Sequence, residues 1–334
     1  MPWTTSFRLW GKHDTHPSLR QLRPPPRQTG GMTLLIDEPA TCLRSAGVVR
    51  VTGHDRLTYL HSMLSQHIEG AKPGTVADFL YLDAKGNPLA AGRLIVRAGD
   101  VLLVTPPEVA ADFAAALAQF TFLLDAVSED VSDAWALASV RGPGEVPAPG
   151  ARPEPMTAAP HGDGLVIRDR SGGVDLVGER AWVREWVSRL ELPAASEEDW
   201  EAWRIAAGEQ AWGVEIVPGR RAQELGLLPT HVHLRKGCYP GQESIAKTYN
   251  LGRPRRALAV VETDGPLAPG DPVEAGGKTG EVSSAAAASD GWVALALVPL
   301  DRGGALPADG LVTVGGQPGR IRRRVGEGLS QPGA

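Results

Sequence analysis

Beyond Arg256 the chain breaks into short apolar runs, "RALAVVET", "DPVEA", "GEVSSAAA", "WVALALV" and "LVTVGG", separated by glycine and proline. This pattern narrows the fold more than any other feature. None of the runs sustains a 3.6-residue period long enough for a helix. Short apolar runs between turn-forming residues build strands instead. The segment predicts an all-β C-terminal module, a small barrel.

The preceding region is mixed. "GVVRV" (47–51) reads as a strand. "TGHDRLTYLHSMLSQHIEGAKPG" reads as a helix, with Leu57, Leu60, Leu64 and Ile68 on one face and Gly70 and Pro73-Gly74 ending it. "VADFLYLD" and "PLAAGRLIV" read as strands joined by a turn through "AKGN", and "VLLVTP" as a third. "EVAADFAAALAQF" is a helix with Val109, Phe113, Ala116, Leu117 and Phe120 on one stripe, and "AWALASV" returns as a strand. "PGEVPAPGARPEPMTAAPHGDG" has no period and predicts a long surface loop. "LVIRDRSGGVDLVG" predicts a hairpin turning near Gly172-Gly173, followed by a helix over Glu179–Leu190. Ser196 and Asp199 fit a capping box opening a helix in which Trp200, Trp203 and Ala207 share a face. An α/β region in series with a β module suits a chain of 334 residues, which is long enough for two or three domains.

Charge and cysteine usage set further bounds. A formal net charge of −5 argues against a surface that coats nucleic acid in bulk. The two cysteines, Cys42 and Cys238, lie far apart with no metal-type spacing, which favours a reducing compartment. No apolar run reaches the length of a membrane span, and residues 1–31 are polar with no signal-type apolar core. They predict a disordered lead-in, with Met32 ahead of "TLLI" an alternative start. The expected location is cytoplasmic.

Cys238 lies in "RKGCYPGQESIAKTYNLGRPRR" (235–256), among charged residues. A neighbouring lysine and free backbone amides favour a thiolate, so Lys236 and Cys238 read as a reactive pair. Gly237 and Gly241 permit close approaches, Pro240 stiffens the turn, and a helix beginning near Ser244 would favour an anion ahead of it. The same residues also fit a plain turn carrying a half-buried cysteine.

"KGCYPGQE" (236–243) resembles the signature of the YgfZ-like folate-binding proteins, relatives of the glycine-cleavage T-protein, an aminomethyltransferase. "RVTGHDRLTYLHSMLSQHI", "LYLDAKGNPLAAGRLIV", "WRIAAGEQAWGVEI", "YNLGRPRRAL" and "GEVSSAAAASDGWVALALVPL" are similar to further segments of that family, in the same order. The resemblance implies an α+β fold. It is a three-module ring of two α/β modules, one ferredoxin-like, with a C-terminal small β-barrel and tetrahydrofolate in the central channel. The implied division is a lead-in at 1–31, a folate-binding region of two interleaved modules at 32–250, the barrel at 251–324 and a tail at 325–334. The implied role is support of iron–sulfur enzymes, tRNA-modifying ones included, with iron–sulfur client proteins as partners and no membrane. Cys238 and Lys236 are then the reactive residues. Tyr239, Gly241, Gln242, Glu243, Glu224, Arg204 and Trp203 are the candidate cofactor contacts, and no metal is expected.

Two departures from the family stand out. T-protein relatives carry paired aspartates where this chain has Ala90, Ala91 and Gly92, so the aminomethyl reaction loses its acid. Where relatives place a pterin-contacting Glu, this chain has Ala206, with Glu224 and Glu215 as substitutes. A folate-dependent aminomethyl or methyl transferase and a scaffold that has lost its ligand are the rival readings.

Other features are weighed against simpler explanations. His231 and His233 would share a face if on a strand, but two imidazoles make a poor metal site. His54, His61 and His67 fall on one helix and read as solvated, and Cys42 as a spare thiol. "GRPRR" (252–256) suits either a polyanion contact or a solvated edge, and "RIRRR" (320–324) suits the edge. Trp212 is the tryptophan freest to stack on a ligand.

Overall fold

The computed structural model describes residues 38–150, 152–252 and 254–329. The lead-in expected at 1–31, Met32 with "TLLI", Arg253 of the basic cluster and the end of the tail lie outside them.

Two five-stranded antiparallel sheets and a closed barrel make up the fold. The first strand, β1 (Ala40–Arg44), precedes β2 (Gly47–Thr52), α1 (Arg56–Met63), β3 (Val76–Leu82), β4 (Pro88–Val96), β5 (Asp100–Thr105), α2 (Pro107–Ala118) and β6 (Val127–Asp130). The first sheet runs β3-β4-β5-β2-β6. β1 instead joins the second sheet, with β7 (Trp135–Arg141), β8 (Thr157–His161), β9 (Gly164–Arg168) and β10 (Val174–Glu179), in the order β1-β7-β10-β9-β8. Then come α3 (Arg180–Arg189), α4 (Glu197–Ala207), α5 (Leu228–His231) and α6 (Gln242–Leu251). The barrel closes in the order β11-β14-β13-β12-β15-β16, from β11 (Arg256–Thr263), β12 (Pro272–Ala275), β13 (Lys278–Ala288), β14 (Gly291–Pro299), β15 (Leu311–Val314) and β16 (Gln317–Arg324).

Alternating side chains divide each sheet into two apolar faces, and burying both creates layers. One face of the first sheet packs under α1 and α2 through Leu60, Phe79, Leu103, Phe113 and Leu117. Its other face, with Val48, Val76, Ile95 and Leu102, meets Trp135, Leu137, Leu165, Ile167 and Val177 of the second sheet. α3 covers the far side of the second sheet through Trp182 and Val183. The barrel fills its own interior and docks through Leu258, Val260, Leu295 and Leu297 onto Leu80, Leu82 and Ile205. The capping box at the start of α4 forms, with Ser196 Oγ accepting from the Asp199 amide at 3.1 Å.

The local differences from the sequence reading have identifiable causes. The first helix stops at Met63, and Leu64 is extended (φ −102°, ψ 155°). Leu64 and Ile68 are still buried, because Ser65 and Gln66 leave the helix to hydrogen-bond across the fold. Ser65 Oγ donates to His231 O at 2.6 Å and accepts from the Leu80 amide at 2.8 Å, and Gln66 Nε2 donates to Asp78 O and Thr230 O. α2 ends at Ala118, so Phe120 of the expected stripe is exposed. Cys42, read only as a spare thiol, lies on β1, paired with Ser139 of β7. Part of the expected loop forms β8, which pairs with β9. "RIRRR" falls in a closed barrel, which has no edge.

Candidate ligand cavity and the signature loop

The two sheets, the segment after α4 and the exit of the barrel enclose a cavity of about 640 Å³. Its walls include Asp78, Ala91–Arg93 and Val104 from the first sheet, and Arg141, Ile167, Asp169–Ser171 and Asp175 from the second. Glu209–Trp212, His231 and Arg323 complete them. The size suits a small organic ligand.

One wall is a ladder of alternating charge. Arg170 meets Asp78 at 3.2 Å, Asp78 meets Arg93 Nε at 3.1 Å, and Arg93 meets Asp175 at 2.8 Å. Asp175 meets Arg141 at 2.9 Å, and Arg141 meets Asp169 at 2.8 Å. Ser139 Oγ donates to Asp175 at 2.7 Å. Burial raises the Asp175 carboxyl, but Arg141, Arg93 and Arg44 outweigh it and hold the group at about 2. Asp78 is likewise raised by burial and pulled below its usual range by Arg93, His231 and Arg170. Three cations and three carboxylates cancel, so the ladder braces the two sheets and leaves little charge for a ligand.

Outside the ladder the charged lining groups are Glu209, Arg44, the exposed Glu108 and Arg323, which donates to Ala206 O. The Glu209 carboxylate makes no hydrogen bond or ion pair among the described residues. Burial pushes it up, against the pull of Arg141 and Arg44. Arg44 lies over the Trp200 ring at 4.3 Å, and burial lowers it against the pull of Glu209. His231 also lines the cavity, its imidazole lowered by burial against the pull of Asp78, and Thr230 Oγ1 lies 2.7 Å from its Nδ1. Trp212 also lines the cavity, packed against the core beside the barrel. The arrangement offers an acceptor for N–H donors, a cation for an acid and a flat apolar surface.

The signature loop lies elsewhere. Cys238 is exposed and lines neither this cavity nor the groove described below. Lys236 does not serve it. The lysine is buried, and its ammonium donates to His61 O and Leu64 O, capping the C-terminus of α1, where a cation is favoured. Burial pushes Lys236 down to about 8. Tyr239 is buried against Lys236, its ring 4.8 Å from Nζ, and is a core residue instead of a ligand contact. Gly241 caps α6 in the left-handed region (φ +79°), where a Cβ would lie 2.6 Å from Asp83 O. Gly86, across the β3–β4 turn, would likewise put a Cβ 2.8 Å from Ser244. The two glycines let the loop and the turn touch. Gln242 Nε2 donates to Lys236 O at 3.3 Å, and Glu243 is exposed in the first turn of α6. Most of the motif therefore builds the loop, leaving Cys238 and Glu243 facing outward.

The remaining expected contacts are consumed structurally. Arg204 is buried between Glu201 and Glu215, the latter at 3.2 Å. Glu215 is fully buried, accepting from Ala211 N at 2.9 Å and Ser284 Oγ at 2.7 Å, so it ties α4 to the barrel. Glu224 faces Arg256 at 3.8 Å and does not line the cavity. Trp203 stacks on Trp200 with Arg141 5.0 Å from its ring, behind the ladder. His231 and His233 diverge: the first ends α5 and faces the cavity, and the second lies 5.2 Å from the His67 ring. His61 is half-buried and not solvated as expected, edge-on to His67 at 4.8 Å. Among the described residues no three His, Cys, Asp or Glu side chains group to hold a metal.

Sequence reasoning passed over Glu209, Arg44 and the ladder. Asp78, Arg93 and Asp175 each interrupt an apolar strand run, which is the signal that could have found them.

No protein-family model matches the chain. It is 25% identical over 255 residues to an Arabidopsis thaliana protein named "Putative transferase At1g60990, chloroplastic", covering 70% of this chain. This chain spans 58% of the length of that relative. Among solved structures it matches the glycine cleavage system aminomethyltransferase T from Bartonella henselae. The TM-score is 0.74 at 18% identity, covering 88% of each chain. A heterotetrameric sarcosine oxidase from Corynebacterium sp. U-96 matches at a TM-score of only 0.31, too low to argue from. The mixed α/β layers closed by a six-stranded barrel are therefore the fold of the glycine-cleavage aminomethyltransferase.

Proposed function

We propose that this protein binds a reduced folate in the central cavity and supports iron–sulfur enzymes through the exposed signature loop. The observation that carries the ligand half is the Glu209 carboxylate, which lines the cavity beside the neutralised Asp78, Asp169 and Asp175 and makes no hydrogen bond or ion pair among the described residues. The carboxylate is part-exposed to the cavity, and the amino and ring N–H groups of a pterin would supply the donors it lacks. Arg44 suits the acid tail, and Trp212 suits the flat ring. Glu209, three residues beyond Ala206, replaces the carboxylate missing at that position.

Aminomethyl transfer is disfavoured by the strand opposite. Ala90 and Ala91 carry no acid, and a Cβ at Gly92 would lie 2.0 Å from Val104 O, so no side chain fits there. Cys238, exposed and outside the cavity, suits chemistry on a macromolecular client better than on the bound ligand. Both described cysteines are free, consistent with a cytoplasmic location.

The test is thermal unfolding with tetrahydrofolate. A ligand at about 100 times its Kd stabilises by about 2.7 kcal/mol, and Glu209→Ala loses most of that gain. No stabilisation of the wild type leaves the scaffold reading. Glu209, raised by burial and lining the cavity, is a candidate acid for the rival transferase reading, and turnover of a methylamine donor with tetrahydrofolate would establish that reading. Cys238→Ala should keep folate binding while losing complementation of an iron–sulfur maintenance defect.

A further inference from the structure

A second concavity lies across the 219–231 segment from the cavity, and the two linings share no residue. It measures about 450 Å³ and is bounded by the β3–β4 turn, residues 219–223 and one face of α6. Lys85, Arg220, Arg221 and Lys247 line it, and no carboxylate does. In a chain of net charge −5 this is a local reversal of sign. Arg220 is committed to Glu281 at 3.0 Å and to Ser283. Lys85, Arg221 and Lys247 form no ion pair among the described residues.

The lining is not only cationic. Ala222, Leu228 and Ile245 are buried and form an apolar floor, and Ser244 and Thr248 add hydroxyls. Gln223 also lines the groove, and its Oε1 is buried with no hydrogen-bond partner. An unmet acceptor calls for a donor, which a bare anion lacks. The turn is rigid, since Asp83 Oδ1 accepts from the Lys85 and Asn87 amides at 2.8 Å, which also spends the nearest carboxylate on the turn itself.

We propose that this groove is a binding site for a nucleotide-sized phosphate ester. Its phosphates would meet Lys85, Arg221 and Lys247, its ring would lie on the apolar floor, and an N–H donor would satisfy Gln223. Lysine and arginine are the side chains that bind phosphate most strongly, and a flat base suits a floor of small and branched apolar residues.

Calorimetric titration of the full chain with ADP and, separately, with pyrophosphate tests this. ADP is expected to saturate one site, with Kd below about 1 mM. Arg221→Glu with Lys247→Glu should weaken it about tenfold or more, while tetrahydrofolate-induced stabilisation stays unchanged. Both residues are exposed, so the fold is expected to survive, and far-UV circular dichroism checks it. Gln223→Leu should weaken ADP and leave pyrophosphate unaffected. The proposal is overturned by an absence of saturable ADP binding or by indifference to the charge reversals. It is equally overturned if pyrophosphate binds as tightly as ADP, or if only an oligonucleotide or a γ-linked oligoglutamate binds.

Discussion

Replacing Asp175 by Asn tests the charge ladder directly. The carboxylate accepts from Arg93 at 2.8 Å, Arg141 at 2.9 Å and Ser139 at 2.7 Å, all from inside the protein. Asparagine keeps the shape and the Ser139 contact but faces two guanidinium groups with no charge. The gap between an ordinary carboxyl at 3.8 and one held at about 2 corresponds to about 2.4 kcal/mol. Leaving buried cations short of a partner raises the cost toward about 3–5 kcal/mol. Urea unfolding followed by far-UV circular dichroism at neutral pH should therefore show a loss of about 2–5 kcal/mol at an unchanged m-value. The native carboxyl is the more acidic, so its contribution is complete above the unfolded value near 3.8 and disappears as pH falls through about 2. The difference between the two proteins should shrink across that interval. A loss below about 1 kcal/mol at neutral pH, or a difference independent of pH, would refute the claim that the ladder braces the two sheets.

Two further outcomes follow from the signature loop. Gly241→Ala forces a Cβ to within 2.6 Å of Asp83 O at a φ of +79°, and should cost about 1–3 kcal/mol in the same unfolding assay. Lys236 is held down to about 8 from 10.5, so the unfolded chain binds more protons between those values. Stability should then rise with pH across that window in the wild type, and rise less in Lys236→Met. A flat profile in the wild type would mean that the two carbonyls at the end of α1 fully offset the burial.

Local pattern carried much of the architecture. The barrel was legible because Gly and Pro punctuate runs too short for helices, and "AKGN" and the Gly172-Gly173 turn because glycine supplies dihedrals other residues resist. The capping box was legible because both of its partners lie within one turn. The signature motif was visible as a motif, but its division of labour was not. Lys236 stands two residues from Cys238, yet its ammonium reaches carbonyls more than 170 positions earlier in the chain.

What the sequence determined by itself was therefore what neighbours along the chain decide: strand or helix, turn or cap, and the presence of an unusual loop. The tertiary structure alone decided which charges survive uncancelled. Asp78, Arg93, Asp175 and Arg141 come from four strands and neutralise one another only once both sheets pack, leaving Glu209 with no hydrogen bond or ion pair among the described residues. Electrostatic pairing depends on distance through space, and no spacing along the chain encodes it.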